Sequence, residues 1–384
     1  LTHSAFDANI SSIQKGPNAY TTPNQYFIVM EVVFSGMEDR SMADYIKKIS
    51  VHDAVGTVLA HDVTIIVPGQ VKGVGFKKGH IVTEKDIPEL LKLGKRHLYV
   101  LELPPDRLHE DDAALRIAIA ICDDSLRWTA PQEGKSSIIS RTDGLLKINA
   151  DALLTVNRMD DIIVATLKTH TACEEGQIVA ATRIIPLTIA TREIEALEQI
   201  AFRTGPIIRV LPFRRFKVGA VVTGSEISEG LIKDEFDEFV RSKLEAYGCQ
   251  LMKKIIVSDD PSAIGTAILE LRSLGCELIL TTGGLSVDPD DVTRQGVLQT
   301  GAEKVFYGSP VLPGAMFLYA HLGETPIMGL PACVYYHPTT LFDLLLPRVL
   351  ADDPITPDDI AAMGHGGLCL QCEKCRFPVC PFGK

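Results

Sequence analysis

Glu277-Leu278-Ile279-Leu280-Thr281-Thr282-Gly283-Gly284-Leu285-Ser286-Val287-Asp288-Pro289-Asp290-Asp291-Val292-Thr293 decides the fold. Leu278, Ile279 and Leu280 show no polar alternation, the pattern of a parallel strand covered on both faces by helices. The run then ends in two glycines, a hydroxyl and a group of carboxylates, where open α/β sheets place their ligands. Gly283 and Gly284 allow close approach of the backbone to an anionic group and present successive N–H donors to it. Ser286 and Thr293 add hydroxyl donors, and Asp291 can hold a polar ring or a metal. The stretch reads as a phosphate-and-ring pocket; for the glycine pair alone, an ordinary tight turn is the alternative.

Neighbouring segments extend the pocket. Lys217-Val218-Gly219-Ala220-Val221-Val222-Thr223-Gly224-Ser225-Glu226 reads as a second buried strand entering a glycine turn. Ser309 to Ala315 and Pro326 to Ala332 each read as a short β signal closed by Pro and Gly. Between the strands, Phe236, Phe239, Val240, Leu244 and Tyr247 recur at helical spacing, predicting a helix over Asp234 to Tyr247 that stops at Gly248. Asp260-Pro261-Ser262 opens another, with Ile264, Ala267, Ile268 and Leu271 on one face. Alternating strands and helices predict an α/β domain built on a three-layer, doubly wound, mostly parallel sheet, with strand ends sharing one cleft.

These residues resemble the molybdopterin-binding domain shared by molybdopterin adenylyltransferases, molybdopterin molybdotransferases and gephyrin. The family's Gly-Gly-x-Ser/Gly-x loop and following Asp-x-Thr are matched by Gly283, Gly284, Ser286, Asp291 and Thr293, preceded by Thr282. Its Thr-Gly-x-Glu turn is matched by Thr223, Gly224 and Glu226, its Pro-Gly turn by Pro313 and Gly314, and its Gly-Leu-Pro turn by Gly329, Leu330 and Pro331. The resemblance spans about residues 215 to 350 and implies that these positions bind molybdopterin or the finished molybdenum cofactor. It also places Asp234 in the cleft, although a carboxylate in a helix's first turn is equally well explained by the helix dipole. Asp290 and Asp291 offer hard oxygen ligands for a magnesium ion beside a phosphate.

Departures from the family bear on mechanism. The Asn/Asp-Ser-Ala-Met-Asp-Gly-Tyr segment of molybdotransferases has no counterpart between Val63 and Gly79. Leu312, Ala315 and Met316 stand where that family places lysines, and its Gly-Leu-Pro-Gly-Asn-Pro becomes Gly329-Leu330-Pro331-Ala332-Cys333-Val334. An oxyanion pocket without charge-assisted donors binds molybdate poorly, so binding is expected in preference to metal insertion. Arg214, Arg215 and Lys217 are the candidate replacement cations. The function expected is a molybdopterin-binding protein of cofactor synthesis, delivery or sensing. The alternatives are a molybdotransferase-like enzyme and a hydrolase of a pterin or nucleotide phosphate.

The chain has 384 residues and a net charge of −11. That balance argues against nonspecific nucleic-acid binding, which calls for a basic face. No apolar run reaches membrane-spanning length and residues near the start lack a signal-peptide pattern, so a cytoplasmic protein is expected. A pterin phosphate is the expected ligand, a molybdenum enzyme or another cofactor-synthesis protein the expected partner, and a homo-oligomer the expected assembly. Residues 1–41 read as an extension or disordered arm. Residues 42–105 read as a small clip-like α+β module and 106–205 as a β-rich module with flanking helices, the sheet domain following over 206–352. Within the β-rich module, Gly134-Lys135-Ser136 resembles the end of a P-loop, but Thr129 stands where that motif needs Gly, so a surface turn is expected. His170 and Cys173 lack a second pair and read as structural.

Pro354 to Gly367 has the composition of a linker, and beyond it comes Cys369-Leu370-Gln371-Cys372-Glu373-Lys374-Cys375-Arg376-Phe377-Pro378-Val379-Cys380-Pro381. Four of the chain's nine cysteines crowd into this tail. Cys369, Cys372, Cys375 and Cys380 are expected to hold a metal, either zinc or an iron–sulfur cluster. Their spacing is that of a bacterial ferredoxin run with one extra residue before the last Cys.

Overall fold

The computed structural model describes residues 46–67, 71–229, 231, 233–286, 288 and 292–384. Residues 1–41, read above as an arm, and Asp290 and Asp291, read as ligands of a pterin or magnesium, lie outside the described residues. No helix among the described residues is long and apolar enough to cross a membrane.

Two β-rich units precede the sheet domain. In the first, Ile46–Ser50, His97–Leu101 and Val58–Leu59 form an antiparallel sheet, with helix Asp86–Lys92 beside it. Val51, Leu59, Leu90, Leu98 and Val100 close its core. In the second, Ile162–Thr166, Ile178–Ile184, Lys135–Ser140 and Leu126–Trp128 form a four-stranded antiparallel sheet. Helices Glu110–Ile121 and Thr191–Thr204 contribute Ile117, Ile121, Ile194 and Leu197 to its core. Gly134 lies in a turn closed by Gln132 and Lys135. Strand Ile208–Pro212, grouped by sequence with the sheet domain, instead pairs with Gly144–Ile148 of this unit. Its alternating buried and exposed residues suit that antiparallel edge.

The third unit is a six-stranded mixed sheet in the order Gln250–Val257, Lys217–Thr223, Leu278–Thr282, Thr325–Leu330, Leu318–Leu322, Glu303–Tyr307. The first four strands are mutually parallel, and the last two join antiparallel, a mixed arrangement that the buried runs alone did not disclose. Val218, Ala220, Val222, Leu278 and Leu280 pack on one face against Phe236, Val240 and Leu244 and against Phe342, Leu345 and Leu346 of helix Leu341–Leu350. Val221, Ile279 and Ile327 face the opposite layer, which is Ile264, Ile268 and Leu271 of helix Pro261–Ser273 with Val297 of helix Thr293–Gln299. Asp260 caps the longer of these helices, accepting from the Ser262 and Ala263 amides, and Pro261 occupies its first turn.

Three expectations change here. The helix predicted from Asp234 begins later and runs as a π-helical turn over Asp237–Arg241 before Ser242–Ala246, because the Asp234 carboxylate accepts from the Phe236 amide at 2.9 Å and stands outside the turn. Ser309 to Ala315 is a loop rather than a strand: Ser309 N–H and its hydroxyl bond Ala315 O and Gly314 O within the turn itself. Pro354 to Gly367 does not behave as a free linker. Ile355, Ile360 and Phe382 are buried in the core beside helix Leu341–Leu350, and Thr356 and Asp359 form a capping box that starts helix Pro357–Ala362. The Pro and Asp residues that suggested a linker are helix-start residues.

Between the second and third units lies a charged joint. The Lys147 ammonium donates to the Asp353 carboxylate at 2.6 Å and to His170 Nε2 at 2.8 Å. Buried Arg348 donates from Nε to Asp353 at 2.7 Å and from Nη2 to Asp359 at 3.2 Å. His170 is thus part of this joint. Cys173, its sequence neighbour, is buried and donates to Gly144 O at 3.3 Å, so the two do not act as a ligand pair.

Candidate functional site

Because the first four strands are parallel, Val257, Thr223, Thr282 and Leu330 end at one edge of the sheet. The antiparallel pair delivers the loop between Tyr307 and Leu318 to the same edge. The Thr223-Gly224, Gly283-Gly284, Pro313-Gly314 and Gly329-Leu330-Pro331 turns therefore share a rim, as the sequence predicted.

Threonines knit the rim. The Thr223 hydroxyl donates to Thr282 O at 3.1 Å and meets the Thr293 hydroxyl at 3.2 Å. Thr293 donates from its side chain to Gly283 O at 2.9 Å and from its amide to Gly284 O at 3.0 Å. All three threonines are buried, so they shape the loop instead of meeting solvent. Gly283 and Gly284 have φ of 86° and 55°. A Cβ on Gly283 would stand 2.4 Å from Thr223 O, and one on Gly284 would stand 2.6 Å from the Thr293 hydroxyl oxygen. The glycines thus serve the fit of the loop against its neighbours, and a β-branched residue at Gly284 would disturb the fold as well as the approach of a ligand.

The remaining family positions divide by exposure. Ser286 and Glu226 are exposed at the rim and Gly224 is partly so. Gly329, Leu330, Pro313 and Gly314 are buried. A Cβ on Gly314 would meet Leu341 Cβ at 2.6 Å, and one on Gly329 would meet Leu318 Cβ at 2.8 Å, so both turns are packed against the sheet domain. Pro331 precedes the turn Ala332–Tyr335. Burial pushes the Tyr335 hydroxyl up to about 12, which leaves it protonated as a donor.

An open cleft of about 560 Å³ lies beside the glycine loop, lined by Gly284, Leu285, Ser286, Arg294, Gln295 and Tyr307 among others. Tyr307 donates to Leu285 O at 2.6 Å and reaches the Met316 sulfur at 3.7 Å. Arg294 stacks its guanidinium 5.1 Å from the Tyr307 ring centre. It is a cation at the cleft that motif matching did not single out. The signal available was its place directly after Thr293, at the start of helix Thr293–Gln299.

Lys254 was also missed, since a strand lysine reads as solvated. It meets Asp234 at 2.5 Å and also pairs with Asp237. Burial opposes its charge, but hydrogen bonds to the two aspartates outweigh that and raise its pKa. Asp259 anchors the first turn by accepting from the Ser225 amide at 2.8 Å and hydroxyl at 3.0 Å.

Arg214, Arg215 and Lys217 do not supply the cleft. Lys217 opens a seven-residue strand whose other end is Thr223, about 20 Å away at the usual rise. Arg214 pairs there with Asp352 at 3.0 Å and Glu277 at 3.1 Å, and Arg215 lies beside Gly248.

The four tail cysteines line a separate small cavity with His337, Pro338 and Thr339. Among the described residues, no group of three or more His, Cys, Asp or Glu side chains is drawn together at metal-ligating distance.

Residues 219–351 match the family described as a probable molybdopterin binding domain, and residues 48–102 match one described as a domain of unknown function. Among curated proteins, the chain is similar to a CinA-like protein of Petrotoga mobilis, 35% identical over 80 residues, 21% of this chain and 20% of that one. It is similar also to the molybdopterin molybdenumtransferase of Synechococcus elongatus, 26% identical over 114 residues, 28% of each chain. The matches thus span between 20% and 28% of those relatives' length. Similar solved structures include the protein CinA of Thermoplasma acidophilum, at 18% identity and TM-score 0.30, over 35% of this chain and 96% of that one. The molybdopterin biosynthesis enzyme MoaB of Thermus thermophilus has 20% identity and TM-score 0.30, over 36% and 98%. On the family match and the motifs set around one sheet edge, residues 219–351 are a divergent member of the molybdopterin-binding domain family.

Proposed function

We propose that this chain binds molybdopterin or the finished molybdenum cofactor at the rim built from Gly283, Gly284, Ser286 and Thr223, as a step in cofactor synthesis, delivery or sensing. The observation that carries the reading is the placement of the family's glycine loop at the carboxyl edge of four parallel strands, beside an open cleft. In this reading the sheet is doubly wound, the ligand phosphate lies against the Gly283-Gly284 amides, and Arg294 supplies charge. Asp291 and a magnesium ion belong to the same proposal. So do a cytoplasmic location, a homo-oligomeric assembly and a molybdenum enzyme or synthesis protein as recipient.

Binding is favoured over molybdate insertion. Leu312, Ala315 and Met316 give no cation at the Pro-Gly turn, and Arg214, Arg215 and Lys217 stand at the far end of the sheet. Calorimetric titration with molybdopterin tests the proposal. Arg294→Ala should weaken binding about tenfold or more, the usual worth of a charge-assisted contact, with the melting temperature unchanged. Unchanged affinity would remove the cleft from the site. Complementation of a molybdotransferase-deficient strain would overturn the preference for binding.

A further inference from the structure

The tail folds back on the molecule at both of its ends. At its start, Leu312 N–H donates to Gly367 O and Cys369 N–H donates to Leu312 O, both at 2.8 Å. At its end, Phe382 is buried in the sheet domain's core, with Phe377 and Cys380 packed against it. Between these anchors, Cys369, Cys372, Cys375 and Cys380 all line one cavity of about 180 Å³. The facing wall is the His337 to Thr339 loop, whose Thr339 hydroxyl is 3.4 Å from Cys375 Sγ. All four thiols are free.

We propose that these four cysteines ligate a single iron–sulfur cluster in this cavity. The inference is independent of what binds the cleft. Two residues separate Cys369 from Cys372 and Cys372 from Cys375, and four separate Cys375 from Cys380, followed by Pro381. Such short arcs allow successive sulfurs to converge on one centre, although as they stand no three of them lie at metal-ligating distance, and the run differs from a ferredoxin run by one residue. Phe377, Val379 and Leu370 give the cavity apolar walls, Leu370 and Val379 being themselves exposed.

The cavity's size favours a cluster over a lone ion. One water occupies about 30 Å³ in the liquid, and the space here is several times that. Four thiolates also carry four negative charges that a cation must offset. Each thiol loses its proton on ligation, so four protons are released as two ferrous ions, two ferric ions and four sulfide ions are taken up, with no change in the oxidation state of iron overall. Arg376 on the wall and Lys374 in the same arc offset the negative charge that remains. Cys372 and Cys375 are exposed while Cys369 and Cys380 are half-buried, so loading requires the outer pair to turn inward.

The test uses the full chain purified under anaerobic conditions, or reconstituted with ferrous iron, ferric iron and sulfide. The expected protein is brown, with about four iron and four sulfide per chain. Cys372→Ser and Cys375→Ser, at exposed positions, should lose most of the iron and the visible absorbance while the far-ultraviolet circular dichroism is unchanged. Cys333→Ser, outside the tail, should keep both. About one zinc per chain, lost in the same variants, would overturn the cluster and replace it by a zinc site. Iron and zinc both at background, or iron retained in both tail variants, would overturn the site itself.

Discussion

Gly283 shows how one residue type answers two demands. Its left-handed backbone and the 2.4 Å gap to Thr223 O mean that any side chain disturbs the strand end before a ligand is considered. Gly283→Ala should therefore destabilise the protein by about 1–3 kcal/mol, seen as a lower urea midpoint with the slope unchanged. An unaltered midpoint would show that the loop yields freely. The glycine pair was legible in the sequence because its residue types are rare in a strand. Its structural reason was not, because the carbonyl it must avoid lies 60 residues earlier, on a neighbouring strand. Arg294 and Lys254 escaped sequence reading for a related reason. Nothing local marks a cation as facing Tyr307 or Asp234, whereas Arg214 and Lys217, adjacent to a motif strand, drew attention at its wrong end.

At the scale of elements, the joint between the β-rich unit and the sheet domain titrates. Burial, then the charges of Arg348 and Lys147, lower the pKa of His170 to about 4. The neutral ring then accepts from Lys147 at 2.8 Å. An unfolded imidazole takes up its proton near pH 6.5, so between there and about pH 4 the unfolded chain holds more protons and stability falls as acid is added. The loss should be on the order of 3 kcal/mol. His170→Asn, which suits the positive φ of 66°, should flatten that slope in denaturant titrations at several pH values; an equally steep slope would assign it elsewhere. Asp353 joins Lys147 to buried Arg348. Asp353→Asn should cost about 3 kcal/mol or more, since two cations lose their counter-charge, measured as the fall in unfolding free energy. Strands and helices here were largely legible from apolar period, as in the helix Pro261–Ser273 expected from Ile264, Ala267, Ile268 and Leu271. The pairing of Ile208–Pro212 with Gly144–Ile148 was not, because strand partners so far apart leave no local pattern.

For the whole molecule, the tail is part of the sheet domain. Truncation after Asp353 removes Ile355, Ile360 and Phe382 from the core, an upper estimate of roughly 5–9 kcal/mol of apolar burial. That approaches the entire stability of an ordinary domain. The shortened chain should be recovered insoluble or with its cooperative melting transition lost. A truncated protein melting as sharply as the full chain would show the tail to be dispensable. Composition read Pro354 to Gly367 as a linker because Pro and Asp serve loops and helix starts alike; only the burial of Ile355 and Ile360 separates the two. The pairing at Leu312 carries the last consequence. Its amide and carbonyl are both engaged by residues 367 and 369, so the turn is stitched to the chain's own end and its single N–H is not open to a ligand. On the proposed function, the tail would stand as a doorpost beside the Pro313-Gly314 turn, limiting how far a guest extends along that side of the rim.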